Sequence, residues 1–137
     1  MKIFFAGSIR GGRDDQSVYA EIIATLSKQG DVLTEHIGDK NLSQMGEVGD
    51  TPSIHAREMG RLEDADVLIA EVTTASLGVG YEIAKAENMG KKILCLYRSI
   101  EGKSISAMIS GSDQLTLKEY KDLENFKEIV NEFLTTK

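Results

Sequence analysis

Short apolar runs alternate with amphipathic segments along most of the chain. The apolar runs KIFFAG, DVLTEH, ADVLIAEV and KKILCLY occupy residues 2–7, 31–36, 65–72 and 91–97, and a weaker run, DQLTLK, occupies 113–118. Helical spacing of apolar residues marks the segments 15–29, 53–64, 79–89 and 119–134. Alternation of this kind is typical of βαβ units. We therefore predict an α/β fold that is flavodoxin-like or Rossmann-like, with a doubly wound five-stranded parallel sheet in three layers, α/β/α.

Residues that typically begin or end helices stand near the predicted element boundaries. Gly30 and Gly90 stand where helix C′ glycines are expected. Ser53 follows the only proline, Pro52, and is the predicted N-cap of the second helix. Residues 38–52 are polar and are predicted to form a long loop rather than a domain linker.

A doubly wound sheet binds its ligand at the carboxyl ends of the strands, where successive connections leave in opposite directions. In the flavodoxin-like order this crevice lies between the first and third strands. The segments that follow those strands are GSIRGGRDD, residues 7–15, and TTASLGVGYE, residues 73–82. Both glycine-bearing loops are therefore expected to face one crevice.

The first of these loops has the composition of an anion-binding loop. It contains Gly7, Gly11 and Gly12, the hydroxyl of Ser8 and the guanidinium groups of Arg10 and Arg13. Glycines let backbone amides approach an oxyanion closely, and an arginine can bind phosphate in a bidentate manner. The loop lacks both the Walker A sequence and the dinucleotide motif GxGxxG, so a tight turn with solvated arginines is the alternative.

The second loop supplies Ser76, Gly78 and Gly80 and is followed by Glu82 at the predicted start of a helix. A capping box is disfavoured for Glu82 because the residue three positions earlier, Val79, has no hydroxyl. Simple compensation of the helix dipole is one interpretation. The other is that the positive helix end keeps Glu82 ionised, as a nucleophile requires.

Glu58 on the second helix is the other candidate carboxylate. It shares a helical stripe with Ile54 and Leu62, and an apolar setting favours proton donation. Alternatively, Glu58 sits at the solvated edge of that face and pairs with Arg57 or Arg61. His36 ends the second strand and is expected at the crevice rim, His55 is expected on the helix surface, and the sequence alone does not distinguish Ser106 from its neighbouring serines.

Composition narrows the class of protein. The chain of 137 residues is predicted to be a single domain, 1–137. The net charge of −6 without a basic run argues against DNA or RNA polymers as partners. No run is long and apolar enough for a membrane helix or a signal peptide. One cysteine, Cys95, excludes a thiolate metal site, and a cytoplasmic protein without metal or cofactor is expected.

Two carboxylates beside a phosphate-binding loop suggest cleavage of a glycosidic bond, in which one attacks the anomeric carbon and the other assists departure. Because the phosphate would be anchored, the sugar is predicted to be a pentose 5′-phosphate and the leaving group a base.

The stretches FFAGSIRGGRDD, VLTEHIGD, ADVLIAEVTTASLGVGYEIAKA and KKILCLYRSIEGKSISAMISG resemble the 2′-deoxynucleoside 5′-monophosphate N-hydrolases of the Rcl type. These enzymes belong to the nucleoside 2-deoxyribosyltransferase superfamily. The similarity runs from about residue 3 to 111, and the paired motifs GSIRGGR and SLGVGYE make it specific. It implies a homodimer that hydrolyses (2′-deoxy)nucleoside 5′-monophosphates to free base and (deoxy)ribose 5-phosphate.

The resemblance also implies roles for individual residues. Glu82 matches the nucleophile that forms a covalent glycosyl intermediate, with Glu58 as the second catalytic residue. Ser106 matches a serine that reaches the phosphate from the partner subunit, and His36 matches a residue on the base side. The full substrate-binding set is Gly7, Ser8, Ile9, Arg10, Gly11, Ser76, Gly78, Ser106, His36 and Phe4.

The chain departs from the family pattern at two of these positions. Glu58 stands where the family has an aspartate, and Phe4 stands where it has a tyrosine. Base preference and rate therefore do not carry over. The alternatives are a nucleoside 2-deoxyribosyltransferase, a ribonucleotide (CMP-like) hydrolase, or a non-catalytic flavodoxin-like binder of nucleotide or FMN.

Overall fold

The computed structural model describes residues 1–8, 16–38 and 49–136. The strands are β1 (Lys2–Ala6), β2 (Asp31–Val32), β3 (Val67–Glu71), β4 (Lys92–Tyr97) and β5 (Thr116–Glu119). The helices are α1 (Gln16–Leu26), α2 (Thr51–Asp64), α3 (Leu77–Asn88), the short α4 (Ala107–Ser110) and α5 (Leu123–Thr135). A 3₁₀ turn covers Glu35–Gly38.

The five strands form one parallel sheet in the order β2-β1-β3-β4-β5. This is the predicted doubly wound arrangement, and the predicted fold class is confirmed. The order reverses between β1 and β3, so the ends of these strands open the crevice where ligands bind in such sheets.

The two faces of the sheet are covered by separate apolar clusters. Along β1, Ile3 and Phe5 pack with residues of α1 and α5, whereas Phe4 and Ala6 pack with residues of α2 and α3. Alternating burial of this kind follows from the two-residue period of a strand. The three layers thus arise from short strands that are apolar on both sides.

The second strand is shorter than the predicted 31–36. Its ladder ends after Val32, and the side chain of Thr34 then replaces the backbone pairing. The Thr34 hydroxyl accepts a hydrogen bond from the Phe5 N–H (2.8 Å) and donates one to the Phe5 carbonyl (2.6 Å). Because the backbone is released, it turns into the 3₁₀ segment, and His36 lies there rather than on a strand.

Several predicted boundaries need correction. Helix α2 begins at Thr51 with Asp50 as N-cap, so Ser53 lies inside the helix and its hydroxyl bonds the Asp50 carboxylate. Helix α3 begins at Leu77, two residues before the predicted start. Gly90 follows α3 with φ +68°, as a helix-ending glycine should.

Gly30 has a different role from the predicted helix-terminating one. Helix α1 ends at Leu26, and the N–H of Gly30 donates to the Leu26 carbonyl at 3.1 Å. A Cβ on Gly30 would come within 2.5 Å of the Met1 carbonyl oxygen. The glycine is therefore needed for close contact with the start of β1.

The remaining segments differ by a few residues at their ends. Strand β5 covers Thr116–Glu119 instead of 113–118, and α5 begins at Leu123 behind its N-cap Asp122 instead of at 119. Of the predicted 38–52 loop, residues 39–48 lie outside the described residues. Among the described residues, no helix is both long and apolar enough to cross a membrane.

Candidate active site

A cavity of about 280 Å³ opens at the carboxyl ends of β1 and β3 and contains both predicted carboxylates. Helix α2 contributes Glu58 and helix α3 contributes Glu82, while Gly7 follows β1 directly. We refer to it as the two-carboxylate cavity. Its described lining residues are Gly7, His36, Ile37, Thr51, Ile54, His55, Arg57, Glu58, Met59, Ser76, Gly78, Val79, Tyr81 and Glu82.

A buried hydroxyl lies at the end of β1. Ser8 is buried, and its N–H donates to the Tyr19 hydroxyl at 3.0 Å. Its Oγ has no hydrogen-bond partner within residues 1–8, 16–38 and 49–136. Gly7 beside it lies against the Tyr19 ring, where an added Cβ would stand 3.1 Å from ring carbons. A buried hydroxyl left unpaired is costly, so Ser8 is suited to pair with a ligand.

The start of α3 is capped by Ser76. Its hydroxyl oxygen accepts a hydrogen bond from the Val79 N–H at 3.3 Å. Val79 therefore supplies the N–H that is capped, and the N-cap itself is Ser76. The hydroxyl proton of Ser76 stays available as a donor at the positive end of the helix, which favours an anion.

Glu82 is the sixth residue of α3, and its protonation differs from the prediction. Burial, and secondarily the negative charge of Glu58, raises the pKa of Glu82 from 4.5 to about 8. The helix dipole acts within the first turn, and Glu82 lies beyond it. The prediction that the helix end keeps this group ionised in the free protein is therefore wrong.

Glu58 is held by arginines of its own helix, as one of the two predicted alternatives had it. Its Oε1 accepts from Arg57 Nε at 3.0 Å and from an Arg61 guanidinium nitrogen at 2.8 Å. The pairs lie toward the surface, yet Oε2 is buried, and none of the described residues forms a hydrogen bond with it. Glu58 thus combines a paired oxygen with an unpaired one.

The cavity also involves two aromatic residues to which the sequence analysis gave no role. His55 Nε2 lies 3.1 Å from the Tyr81 hydroxyl, and the two rings meet edge to face with centroids 5.8 Å apart. This contact joins α2 to α3 at the cavity. His55 is exposed, as predicted, but it lines the cavity, and its position one helical turn before Glu58 was the available signal.

Phe4 and Ser106, two of the predicted site residues, lie outside the two-carboxylate cavity. Phe4 is completely buried in the apolar cluster beneath α2 and α3 and does not line the cavity. Ser106 is the exposed N-cap of α4 and lines a second hollow of about 770 Å³, which also includes Ser76 and Gly78. Ile9, Arg10 and Gly11 lie outside the described residues.

The part of the chain that the structure describes contains no cluster of three or more histidine, cysteine, aspartate or glutamate residues suited to a metal ion. Cys95 is buried within the sheet, and burial raises its thiol pKa to about 12. It is therefore an unreactive core residue.

Comparison with known proteins shows which families and structures the chain is similar to. The sequence profile described as nucleoside 2-deoxyribosyltransferase matches residues 3–129. A 5-hydroxymethyl-dUMP N-hydrolase of Esox lucius is 52% identical over 125 residues, which cover 89% of this chain and 86% of the relative. A 5-hydroxymethyl-dUMP N-hydrolase of Danio rerio is 45% identical over 140 residues, covering 99% and 97%.

Among solved structures, the CMP N-glycosidase BcmB of Clostridium botulinum has a similar fold. The TM-score is 0.61 at 19% identity, and the similarity covers 96% of this chain and 99% of the other. The family profile and the two N-hydrolase relatives confirm the resemblance seen in the sequence motifs, and this solved structure shares the fold.

Proposed function

Since the chain belongs to the nucleoside 2-deoxyribosyltransferase family, we propose that it is an N-glycosidase that hydrolyses 2′-deoxynucleoside 5′-monophosphates. The products are the free base and 2-deoxyribose 5-phosphate. The observation that carries the proposal is that one cavity contains two carboxylates, Glu58 and Glu82, beside Gly7 and the start of α3. Relatives of 45–52% identity are named for hydrolysis of a deoxynucleoside monophosphate.

The 5′-phosphate binds between the ends of β1 and β3. Ser8 Oγ is buried and has no hydrogen-bond partner in the described part of the chain, so it is suited to donate to a phosphate oxygen. Ser76 and the amide of Gly78 contribute from the start of α3, where the helix dipole favours negative charge. Ile9, Arg10 and Gly11 complete the proposed phosphate loop.

Glu82 is the proposed nucleophile. One carboxylate oxygen attacks C1′, the C1′–N bond breaks, and its electron pair leaves with the base, which takes up a proton. Water then attacks C1′ of the glycosyl ester, and its oxygen becomes the C1′ hydroxyl. The proton that this water gives up balances the one taken up by the base, and Glu82 is released as a carboxylate. Glu58, on the facing helix α2, assists departure of the base. Because the pKa of Glu82 is about 8, its proton must leave before the attack.

The proposed active form is a homodimer in which Ser106 of the partner subunit reaches the phosphate. Support comes from two large apolar side chains beside Ser106, since Leu77 is 97% exposed and Met108 is 81% exposed. Both line the second hollow together with Ser76 and Gly78. A second copy that covered these side chains would bury apolar surface next to the proposed phosphate site.

Base release from a panel of nucleotides tests the proposed activity. The wild type, Glu82→Gln and the control Glu63→Gln, an exposed residue of α2, are incubated with deoxy- and ribonucleoside monophosphates. Parallel incubations contain a free nucleoside and an acceptor base. Chromatography should show free base and sugar phosphate for deoxynucleotides with the wild type and Glu63→Gln. Glu82→Gln should bind nucleotide and release no base.

Different results would replace the proposal. Base exchange between free nucleosides would indicate a deoxyribosyltransferase, and release from ribonucleotides alone would indicate a CMP-like hydrolase. Tight nucleotide binding without base release would indicate a binding protein. For the dimer, light scattering should give twice the monomer mass, and Leu77→Asp should reduce both the mass and the rate of base release.

A further inference from the structure

The side chain of Glu58 is held at one oxygen by two arginines of α2. Oε1 accepts a hydrogen bond from Arg57 Nε at 3.0 Å and lies 2.9 Å from a terminal guanidinium nitrogen of the same arginine. It also accepts from Arg61 at 2.8 Å, one helical turn further along. We refer to these three residues as the arginine clamp.

The second oxygen of Glu58 has the opposite character. Oε2 is buried and has no hydrogen-bond partner among the described residues, although Glu58 lines the two-carboxylate cavity. An unpaired buried acceptor costs about 1–3 kcal/mol, and more when it is charged. Such an atom in a ligand cavity is expected to find its partner on the ligand.

The clamp contributes little as a source of stability. The side chains of Arg57 and Arg61 are 41% and 32% exposed, whereas that of Glu58 is 12% exposed. Ion pairs of cations this exposed stabilise proteins by about 0–1 kcal/mol. Directing all these donors to one oxygen instead fixes the orientation of a side chain that has three rotatable bonds. That orientation decides which oxygen remains free for a ligand.

We propose that Arg57 and Arg61 are positioning residues that hold Glu58 by Oε1 and thereby reserve Oε2 to accept a hydrogen bond from the bound nucleotide. The donor on the nucleotide is a sugar hydroxyl or a base N–H, because phosphate oxygens are acceptors. This inference rests on the proposed function for the identity of the ligand. Neither arginine needs to touch the substrate for the clamp to act.

Kinetic analysis of a double variant tests the clamp. Arg57→Gln/Arg61→Gln removes both cations and keeps polar side chains of similar shape. A matched control, Lys118→Gln, removes one cation from an exposed position of β5, far along the sheet order from β1. Loss of positioning should lower kcat for base release roughly 10- to 100-fold with KM changed less than about threefold. Arg57→Lys/Arg61→Lys should recover part of kcat.

A second measurement does not depend on activity. In the free protein, a water-soluble carbodiimide with an amine nucleophile labels accessible carboxyl groups, and mass spectrometry after pepsin digestion locates the label. Glu58 should be labelled several times faster in the double Gln variant than in the wild type and the Lys118→Gln control. Urea unfolding of each variant confirms that it is folded under the labelling conditions.

The two measurements separate the clamp from the proposed function. Unchanged labelling of Glu58 would overturn the clamp, as would faster labelling with an unchanged kcat or with a change in KM alone. If the wild type releases no base from any nucleotide, the proposed function fails. Labelling then decides by itself whether the arginines hold Glu58.

Discussion

Replacing Glu82 by glutamine should make the protein more stable at neutral and alkaline pH, although it removes the proposed nucleophile. Burial, with a further contribution from the charge of Glu58, raises the pKa of Glu82 to about 8. The folded protein therefore keeps this proton up to about pH 8, whereas the unfolded chain releases it near pH 4.5. Between these values the folded state binds more protons, so wild-type stability falls as pH rises.

The size of the effect follows from the two pKa values. Each pH unit between them is equivalent to about 1.4 kcal/mol. Relative to the variant, the wild type should lose about 1 kcal/mol by pH 5, about 3 kcal/mol by pH 7 and roughly 5 kcal/mol by pH 9. Because Glu82 is partly exposed, screening by solvent lowers these figures, and they are upper bounds.

Urea unfolding at pH 5, 7 and 9 measures the difference directly. The free energy of unfolding is compared for the wild type, Glu82→Gln and Glu63→Gln, whose exposed carboxylate on α2 serves as the control. The advantage of Glu82→Gln over the wild type should grow across this range and should exceed any change seen with the Glu63→Gln control. A stability advantage of Glu82→Gln that did not change with pH would refute the raised pKa. If Glu82→Gln were less stable than the wild type at pH 9, the effect would have the opposite sign to the one predicted.

Three further predictions concern the site and the core. Glu58→Gln removes a charge that raises the pKa of Glu82, so the rise of kcat/KM with pH should shift to a pH below 8. Its midpoint should stay above pH 4.5, because burial is the larger cause of the raised pKa. An unchanged midpoint would contradict the coupling between the two carboxylates. Tyr81→Phe removes the 3.1 Å contact with His55 at the cavity. KM should rise a few-fold, while the midpoint of thermal unfolding hardly changes. An unchanged KM would indicate that the pair does not contact the bound nucleotide. Phe126→Ala empties a completely buried position of the α1/α5 face, and urea unfolding should show a loss of about 3–5 kcal/mol; a loss below 1 kcal/mol would contradict this packing.

The sheet was predictable from the sequence because the strand signal is local. Runs such as ADVLIAEV are apolar on both faces, which is typical of a central parallel strand, and β3 is buried along its whole length. The early end of β2 was not predictable. It depends on the Thr34 hydroxyl replacing backbone groups of β1, and this contact spans 29 residues of sequence.

In the active site, too, local sequence signals were sufficient for some features and interactions between distant residues determined others. The neighbourhood of Glu82 and Glu58 followed from motif and topology, and the structure brings the two carboxylates into one cavity. The protonation of Glu82 did not follow, since it depends on burial and on a charge contributed by another helix. The helix-dipole argument used only local sequence, and for this residue the non-local causes are larger.

A protonated Glu82 in the free enzyme is consistent with a nucleophilic role under the proposed mechanism. The incoming phosphate carries nearly two negative charges at neutral pH, and the cavity already contains the carboxylate of Glu58. A second anion at Glu82 would oppose binding, and a protonated Glu82 avoids that repulsion. Positive charge develops at C1′ as the glycosidic bond breaks, and it favours ionisation of Glu82 at the stage when the carboxylate must attack. The departing base takes up one proton at that same stage, and the water that later attacks C1′ gives one up, so the complete hydrolysis consumes no proton.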